Sequence, residues 1–241
     1  MDLLIMICAG VLPAVLLWLY IRYKDLQPEP LSKLLKAVAL GVLICIPVAL
    51  LEMSISEILL NEETESRSII DVVIDAFFVA AIPEEVFKLF ALWLVLRHNK
   101  HFDEHFDGIV YAVSVGLGFA GLENVMYLLD EGDDWQVLAI MRALMSVPGH
   151  YAFAVLMGYY YSVHHFVDHS WRSGFYTLAA PVLAHGLYDA FLMSTELDWI
   201  MGSLGFMAAI YLCIRVHKIA YRKIHVQLKR DSDTPQDATV A

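Results

Sequence analysis

Residues 76–96 read AFFVAAIPEEVFKLFALWLVL, a run in which only Glu84, Glu85 and Lys88 carry charge. As a helix it is about 31 Å long, the thickness of the hydrocarbon core of a bilayer. A charge at that depth is costly, so the three must face a polar interior rather than lipid. One segment thus predicts both a membrane-spanning helix and a buried polar site.

The rest of the chain agrees. Of 241 residues 59% are hydrophobic and 18% charged, and the mean hydropathy is +0.60. A soluble domain is about 45–50% apolar and about 25% charged. A soluble globular enzyme, a disordered chain and a disulfide-stapled module are excluded. Cys8, Cys45 and Cys213 lie in apolar runs and read as small core residues. The net charge of −11 argues against a nucleic-acid partner. The expected fold is all-α and polytopic, with about seven transmembrane helices at 3–21, 34–51, 76–96, 109–129, 137–163, 175–194 and 199–214. The first is expected to stay as a span, since no basic residue precedes it and Arg22 and Lys24 follow it.

Of the 16 basic residues 13 sort to one side, with Arg67 in a loop on the other and Lys88 and Arg142 within spans. Arg22, Lys24, Lys33 and Lys36 flank the first loop, Arg97 and Lys100 the third, Arg172 the fifth, and six more follow the last span between Arg215 and Arg230. The positive-inside rule then places the N-terminus out and the C-terminus in. The outer loops are acidic (Glu52, Glu57, Glu62, Glu63, Glu65; Asp130, Glu131, Asp133, Asp134; Glu196, Asp198) and read as solvated. Residues 1–230 form one transmembrane domain, with a catalytic core at about 76–194. Residues 215–230 read as a basic juxtamembrane helix against anionic lipid, and 231–241 as a disordered polar tail.

Ionisable groups concentrate on four consecutive spans: Glu84, Glu85 and Lys88; Glu123 with Asn124; Arg142 and His150; His185 and Asp189. Counting from the outer ends puts Glu84 about 12 Å deep, Glu123 about 9 Å and His185 about 14 Å. Pro148-Gly149 should break or kink its helix, leaving 137–147 interfacial and His150 near the outer side. Convergence at one depth predicts a single polar cavity in the outer half of the bilayer. Lys88 can pair with Glu84 (i,i+4) or Glu85 (i,i+3). Two adjacent carboxylates do not both ionise easily at low dielectric, and a neighbouring lysine lets one do so while the other can serve as a base. Asp189 stands four residues after His185, placed to orient its ring or to face the same substrate oxygen.

Plainer readings stand beside these. Glu84, Glu85 and Lys88 could be helix glue, and His150 a packing residue. Arg142 reads as paired with an acid at the outer surface, His164, His165 and His169 as solvated, Asp71 and Asp75 as interfacial. Gly116-Leu117-Gly118-Phe119-Ala120-Gly121 fits a dinucleotide fingerprint, but it lies inside an apolar span with no strand before it, so it reads as helix packing.

Taken together, Pro83-Glu84-Glu85-x-x-Lys88, Gly118-Phe119-Ala120-Gly121-x-Glu123-Asn124, Pro148-Gly149-His150 and His185-Gly186-x-x-Asp189 resemble the PrsW-type intramembrane proteases, relatives of the CAAX-prenyl and bacteriocin-immunity membrane proteases. The resemblance covers about 80–190. It implies Glu84 as the general base that activates water, Glu85 in support and paired to Lys88, His150 holding the water, and His185 with Asp189 at the oxyanion. Relatives carry Asn where this chain has Asp189, which favours an orienting role for Asp189. Glu123 resembles an additional acid of the PrsW branch, with Asn124 beside it. The resemblance further implies a single-pass membrane substrate, of the anti-sigma-factor kind, cut on its outer side, and a bacterial cytoplasmic membrane as location. The expected chemistry needs no cofactor; the alternative is zinc held by Glu84, Glu123, His150 and His185. Two other readings use the same polar cluster: a proton-coupled transporter, and a non-catalytic scaffold.

Overall fold

The structure, a computed structural model, describes residues 2–60, 67–131 and 134–233. Glu62, Glu63, Glu65, Asp133 and residues 234–241 of the expected tail lie outside them. Regular structure among the described residues is entirely helical: α1 (Asp2–Lys24), α2 (Leu31–Leu59), α3 (Ile69–Ile74), a π-helical stretch (Asp75–Ala81), α4 (Ile82–Leu96), α5 (Asp107–Glu131), α6 (Trp135–Leu144), α7 (Ser146–Ser162), a second π turn (Val163–Asp168), α8 (Trp171–Met193) and α9 (Trp199–Asp233).

Five helical stretches are long and apolar enough to cross a membrane: Leu3–Lys24, Leu31–Leu59, Asp107–Glu131, Trp135–Asp168 and Trp199–Asp233. The expected spans at 76–96 and 175–194 are also helical, inside α3–α4 and α8, but they carry the ionisable and polar residues of the site, which lower their hydropathy. Four boundaries differ from expectation. The helical run that holds Glu84 begins at Ile69, where Ser68 and Asp71 form a capping box, so Glu84 lies about 22 Å from its start, deeper than a count from residue 76 gives. α2 continues through Glu52 to Leu59, so Glu52 belongs to a helix and not to an outer loop. The segment 137–163 is two helices, as Pro148-Gly149 leads one to expect, but the break falls at Met145, three residues ahead of the proline. The ring of Pro148 excludes a helical carbonyl at Leu144, four residues earlier, and the chain breaks there. Asp231–Asp233 complete α9 instead of starting a tail.

α5 is the interior helix. It is buried continuously from Asp107 to Gly121 and packs against α1, α2 and α7. α1 and α2 turn large apolar side chains such as Leu4, Leu16, Leu43 and Leu50 outward, as lipid-facing helices should. Lipid offers little hydrophobic drive for helices to associate, so close packing and polar contacts must hold them. The glycines supply the first. A Cβ on Gly118 would lie 2.2 Å from the Val38 carbonyl oxygen, and one on Gly41 2.0 Å from that of Val115. The dinucleotide-like motif is therefore a helix-packing seam, as its setting predicts. α9 runs about 52 Å, longer than a bilayer core is thick. Its far half packs along the bundle: Val216, Ala220, Ile224 and Gln227 are buried, and Asp231 accepts from the backbone N–H groups of His105 (2.8 Å) and Phe106 (2.9 Å) just ahead of α5.

The seam makes a graded prediction. Gly118→Ala drives a methyl into backbone and should cost ~1–3 kcal/mol or more. Gly121→Ala, whose Cβ would meet only the Ala14 methyl at 3.7 Å, should be close to neutral. Thermal unfolding of the two variants in the same detergent checks the order.

Candidate active site

Pro83 has no N–H and its ring crowds the carbonyl four residues before it. The chain responds with the π-helical stretch Asp75–Ala81, in which Ile82 donates to the Phe77 carbonyl five residues back. The wider turn carries Phe77 against α8 so closely that a Cβ on Gly186 would fall 2.4 Å from its ring. Glu84 and Glu85 follow in the first turn of α4, next to His185 on α8.

All three charged groups of this turn are buried, Glu84 at 4% exposure, Glu85 at 0% and Lys88 at 3%. Lys88 Nζ donates to Glu84 Oε2 (2.7 Å) and Glu85 Oε1 (2.9 Å), and stands 3.1 Å from His150 Nδ1. An ammonium has three protons and no acceptor, so those three partners use it fully. Its donation to Nδ1 leaves the His150 proton on Nε2, which donates to Glu123 Oε2 at 3.0 Å. The ammonium also lies over the Phe119 ring, 4.3 Å from its centre, an added attraction in a dry site.

His185 closes the other side. Its Nδ1 lies 3.0 Å from Glu85 Oε1 and its Nε2 3.0 Å from Asp189 Oδ2. Both nitrogens face carboxylate oxygens, so both donate and the ring is positive whenever those acids are ionised. Phe153 stacks on the ring with centres 4.8 Å apart and fixes its plane. His185 Nε2 is also 4.0 Å from Glu84 Oε1, and that oxygen has no hydrogen-bond partner among the described residues.

The polar chain continues past His150. Arg142 donates to Glu123 Oε2 (2.7 Å) and to Asn124 Oδ1 (2.6 Å), and Asn124 donates to the Gly10 carbonyl (2.8 Å). The hydrogen-bonded path from Asp189 to Gly10 therefore joins α8, α4, α7, α5, α6 and α1. Glu84, Glu85, Lys88, His150, His185 and Asp189 meet in one cluster; Glu123 joins through His150, while Asn124 contacts Arg142 and α1 and not the cluster itself.

Two participants escape a sequence reading. Arg142 pairs with an acid as expected, but with Glu123 inside the site. The signal lies in the sequence: Glu123 and Arg142 stand nearly equal distances on either side of residues 132–134. Glu52 faces the cluster from α2, where its carboxyl feels the charges of Glu84, Glu123, Lys88 and His185, and its Oε1 is buried without a partner. Its position beyond an apolar run resembles any helix-end acid. Elsewhere, His164 bonds to the Ser170 carbonyl at the start of α8 (3.0 Å), Asp71 caps α3 and Asp75 pairs with Arg67.

The donor set fits a zinc ion. Glu84, Glu85, His150 and His185 each offer a ligand atom, all within 4.8 Å of one another, and Glu85 Oε2 is buried with no partner. Two imidazoles and two carboxylates are ordinary zinc donors. Glu85, not Glu123, completes this group.

The family profile described as "PrsW family intramembrane metalloprotease" matches residues 29–216. The chain belongs to the PrsW family. Among proteins named Protease PrsW, that of Geobacillus kaustophilus is 38% identical over 79% of this chain and 81% of its own. That of Oceanobacillus iheyensis is 37% identical over 76% and 81%, and that of Bacillus subtilis 36% over 85% and 90%. No solved structure matches. The chain is thus an intramembrane protease of the PrsW family, with the buried Glu–Lys–His cluster at its centre.

Breaking that cluster is predicted to be severe. Lys88→Met strands two buried carboxylates and should cost ~3–5 kcal/mol. Arg142→Gln, at the cluster's more exposed edge with Asn124 still tied to Gly10, should cost clearly less. Unfolding midpoints in detergent compare them.

Proposed function

We propose that this PrsW-family protease hydrolyses peptide bonds of single-pass membrane proteins near the extracytoplasmic face, as in a first regulatory cut of an anti-sigma factor, with water activated by Glu84. The observation that carries the reading is the division of labour between the two oxygens of Glu84. Oε2 is tied to Lys88, while Oε1 is left without a partner opposite His185.

The chemistry follows from that geometry. A water on Glu84 Oε1 gives up a proton to the carboxylate as its oxygen attacks the scissile carbonyl. Lys88 holds Oε2 and so aims Oε1 at the water. The developing oxyanion takes a hydrogen bond from His185 Nε2, which exchanges Asp189 for it; Glu85 on Nδ1 holds the ring in place meanwhile. Glu84 then returns the proton to the leaving amine. His150, locked between Lys88 and Glu123, keeps the wall rigid. Were zinc bound, Glu84, Glu85, His150 and His185 would hold it, and it would supply a Lewis acid for the carbonyl and a more acidic water.

The reading takes seven crossings, adding Ile69–Leu96 and Trp171–Met193 to the five apolar stretches, with the N-terminus out and the C-terminus in. The clustering of basic residues at one end of the bundle supports it. Glu123 and His185 each stand eight residues, about 12 Å, before the other end of their helices, which supports a cut in the outer half of the membrane. The organisms of its relatives support a bacterial cytoplasmic membrane.

Glu84→Gln keeps the size and a hydrogen-bonding oxygen but cannot take the proton. It should lower cleavage by at least ~100-fold while the protein remains folded. Comparing membrane-protein N-termini by mass spectrometry in cells making either form reads this out: new termini in the outer half of single-pass proteins are expected only with the unaltered protein. Identical termini from two folded proteins sink the proposal. A zinc-selective chelator, with Mg2+ kept present, separates the two forms of the mechanism. Carboxylate chemistry alone survives it; activity lost and then restored by zinc assigns the metal.

A further inference from the structure

A second buried acidic cluster lies at the opposite end of the bundle, about 24 Å along α5 from Glu123. The α1–α2 connection contributes Asp25 and Glu29, the α4–α5 connection Glu104, and the first residue of α5 Asp107. Asp25 is 6% exposed, Glu29 5% and Asp107 1%. Asp25, Glu104 and Asp107 bring one oxygen each within 4.8 Å of one another, and Glu29 and Asp107 do so with Asp103. Asp107 is common to both groups.

This cluster is built differently from the catalytic one. Among the described residues none of its carboxylates forms an ion pair with lysine or arginine; Arg22 acts on Asp25 only at a distance. Their hydrogen bonds hold one oxygen of Asp107, Glu29 and Glu104, while Asp25 accepts on both, Oδ2 taking the Glu29 N–H at 3.4 Å. Asp107 Oδ2 accepts from the backbone N–H of Glu104 (2.7 Å) and Asp103 (3.1 Å), Asp25 from Gln27 N–H (3.1 Å), Glu29 from the Tyr111 hydroxyl and Glu104 from the Gln27 amide. Asp107 Oδ1 is left buried with no partner at all. A buried orphan carboxylate oxygen is costly and calls for a ligand. Burial first, then the charges of Asp231 and Asp25, push Glu104 up to about 7, which reflects the same want of a counter-charge.

We propose that Asp25, Glu104 and Asp107, which bring one oxygen each to a common point, bind a hard divalent cation, Mg2+ or Ca2+, that clips the α1–α2 connection to the start of α5. The donors are all oxygen, with no imidazole or thiolate in either group, which selects hard cations over zinc. The site also anchors α9, since Asp231 bonds to His105 and Phe106 beside it. It is structural: it touches no catalytic residue, so its proof does not depend on the mechanism above.

The test uses the full chain, purified in detergent and stripped with EDTA. Mg2+ or Ca2+ should raise the unfolding midpoint saturably by ~5 °C, and sodium chloride at equal ionic strength should not. Glu84→Gln should show the same shift, and Asp107→Asn and Glu104→Gln should lose it. Mn2+ read by electron paramagnetic resonance should give one bound ion on the unaltered protein, even if a variant fails to fold. A midpoint indifferent to the cations, a shift that persists in both folded variants, or free Mn2+ only would each overturn the proposal.

Discussion

The ammonium of Lys88 is the constraint on which the rest depends. A lysine buried in a membrane bundle persists only if each proton finds an acceptor, and here the three acceptors lie on two helices. Satisfying them fixes Glu84 and Glu85 as neighbours in one turn, draws α7 in through His150, and sets the tautomer with which His150 reaches Glu123. The register of three helices, α4, α7 and α5, thus follows from the valence of one nitrogen. The same bond occupies one oxygen of Glu84 and leaves the other without a partner, which is the feature the proposed chemistry uses.

The polar chain does structural work that apolar contact cannot do in lipid. From Asp189 to the Gly10 carbonyl it ties six helices by hydrogen bonds within one layer. The glycine seams of α5 let those helices come near enough for the bonds to form. Gly118 and Gly41 bring α2 against α5, and Gly158 approaches the Gly108 carbonyl so closely that a Cβ would sit 2.3 Å from it. Close packing and polar bonding are therefore coupled, since a bulky residue in a seam would spread the helices and stretch the cluster. That coupling explains why the Gly-rich motif runs straight into Glu123 and Asn124.

Much of this was legible in the sequence. Apolar runs of bilayer length located the helices, and charges inside them located the site. Glu84, Glu85, Lys88, His150, His185 and Asp189 could be gathered before any coordinates because each breaks the rule for its surroundings. Boundaries were less legible, because hydropathy marks where lipid contact ends and not where the backbone stops being helical. α2 continues through Glu52 because a helix tolerates a charge that a hydropathy window does not. Arg142 reads as a surface residue because the acids nearest to it in sequence lie in a polar connection, while its partner Glu123 stands 19 residues back on α5. The acids at 25–29 and 103–107 attracted no notice, since acids in polar connections are ordinary until burial makes them costly.

Two departures from regular helix lie beside the Glu–Lys–His cluster. The π stretch lies immediately before Pro83 and the Glu84–Glu85 pair, and the Met145 break lies five residues before His150. Each has a local cause in a proline, and each sets the angle at which the following turn enters the core. A regular helix through 69–96 would present Glu84 and Glu85 at a different rotation about its axis, and a straight 135–168 would carry His150 past Lys88. The prolines therefore act as alignment elements: they cost regular backbone hydrogen bonds at two points, and the Lys88 bonds formed just beyond them hold the resulting geometry in place.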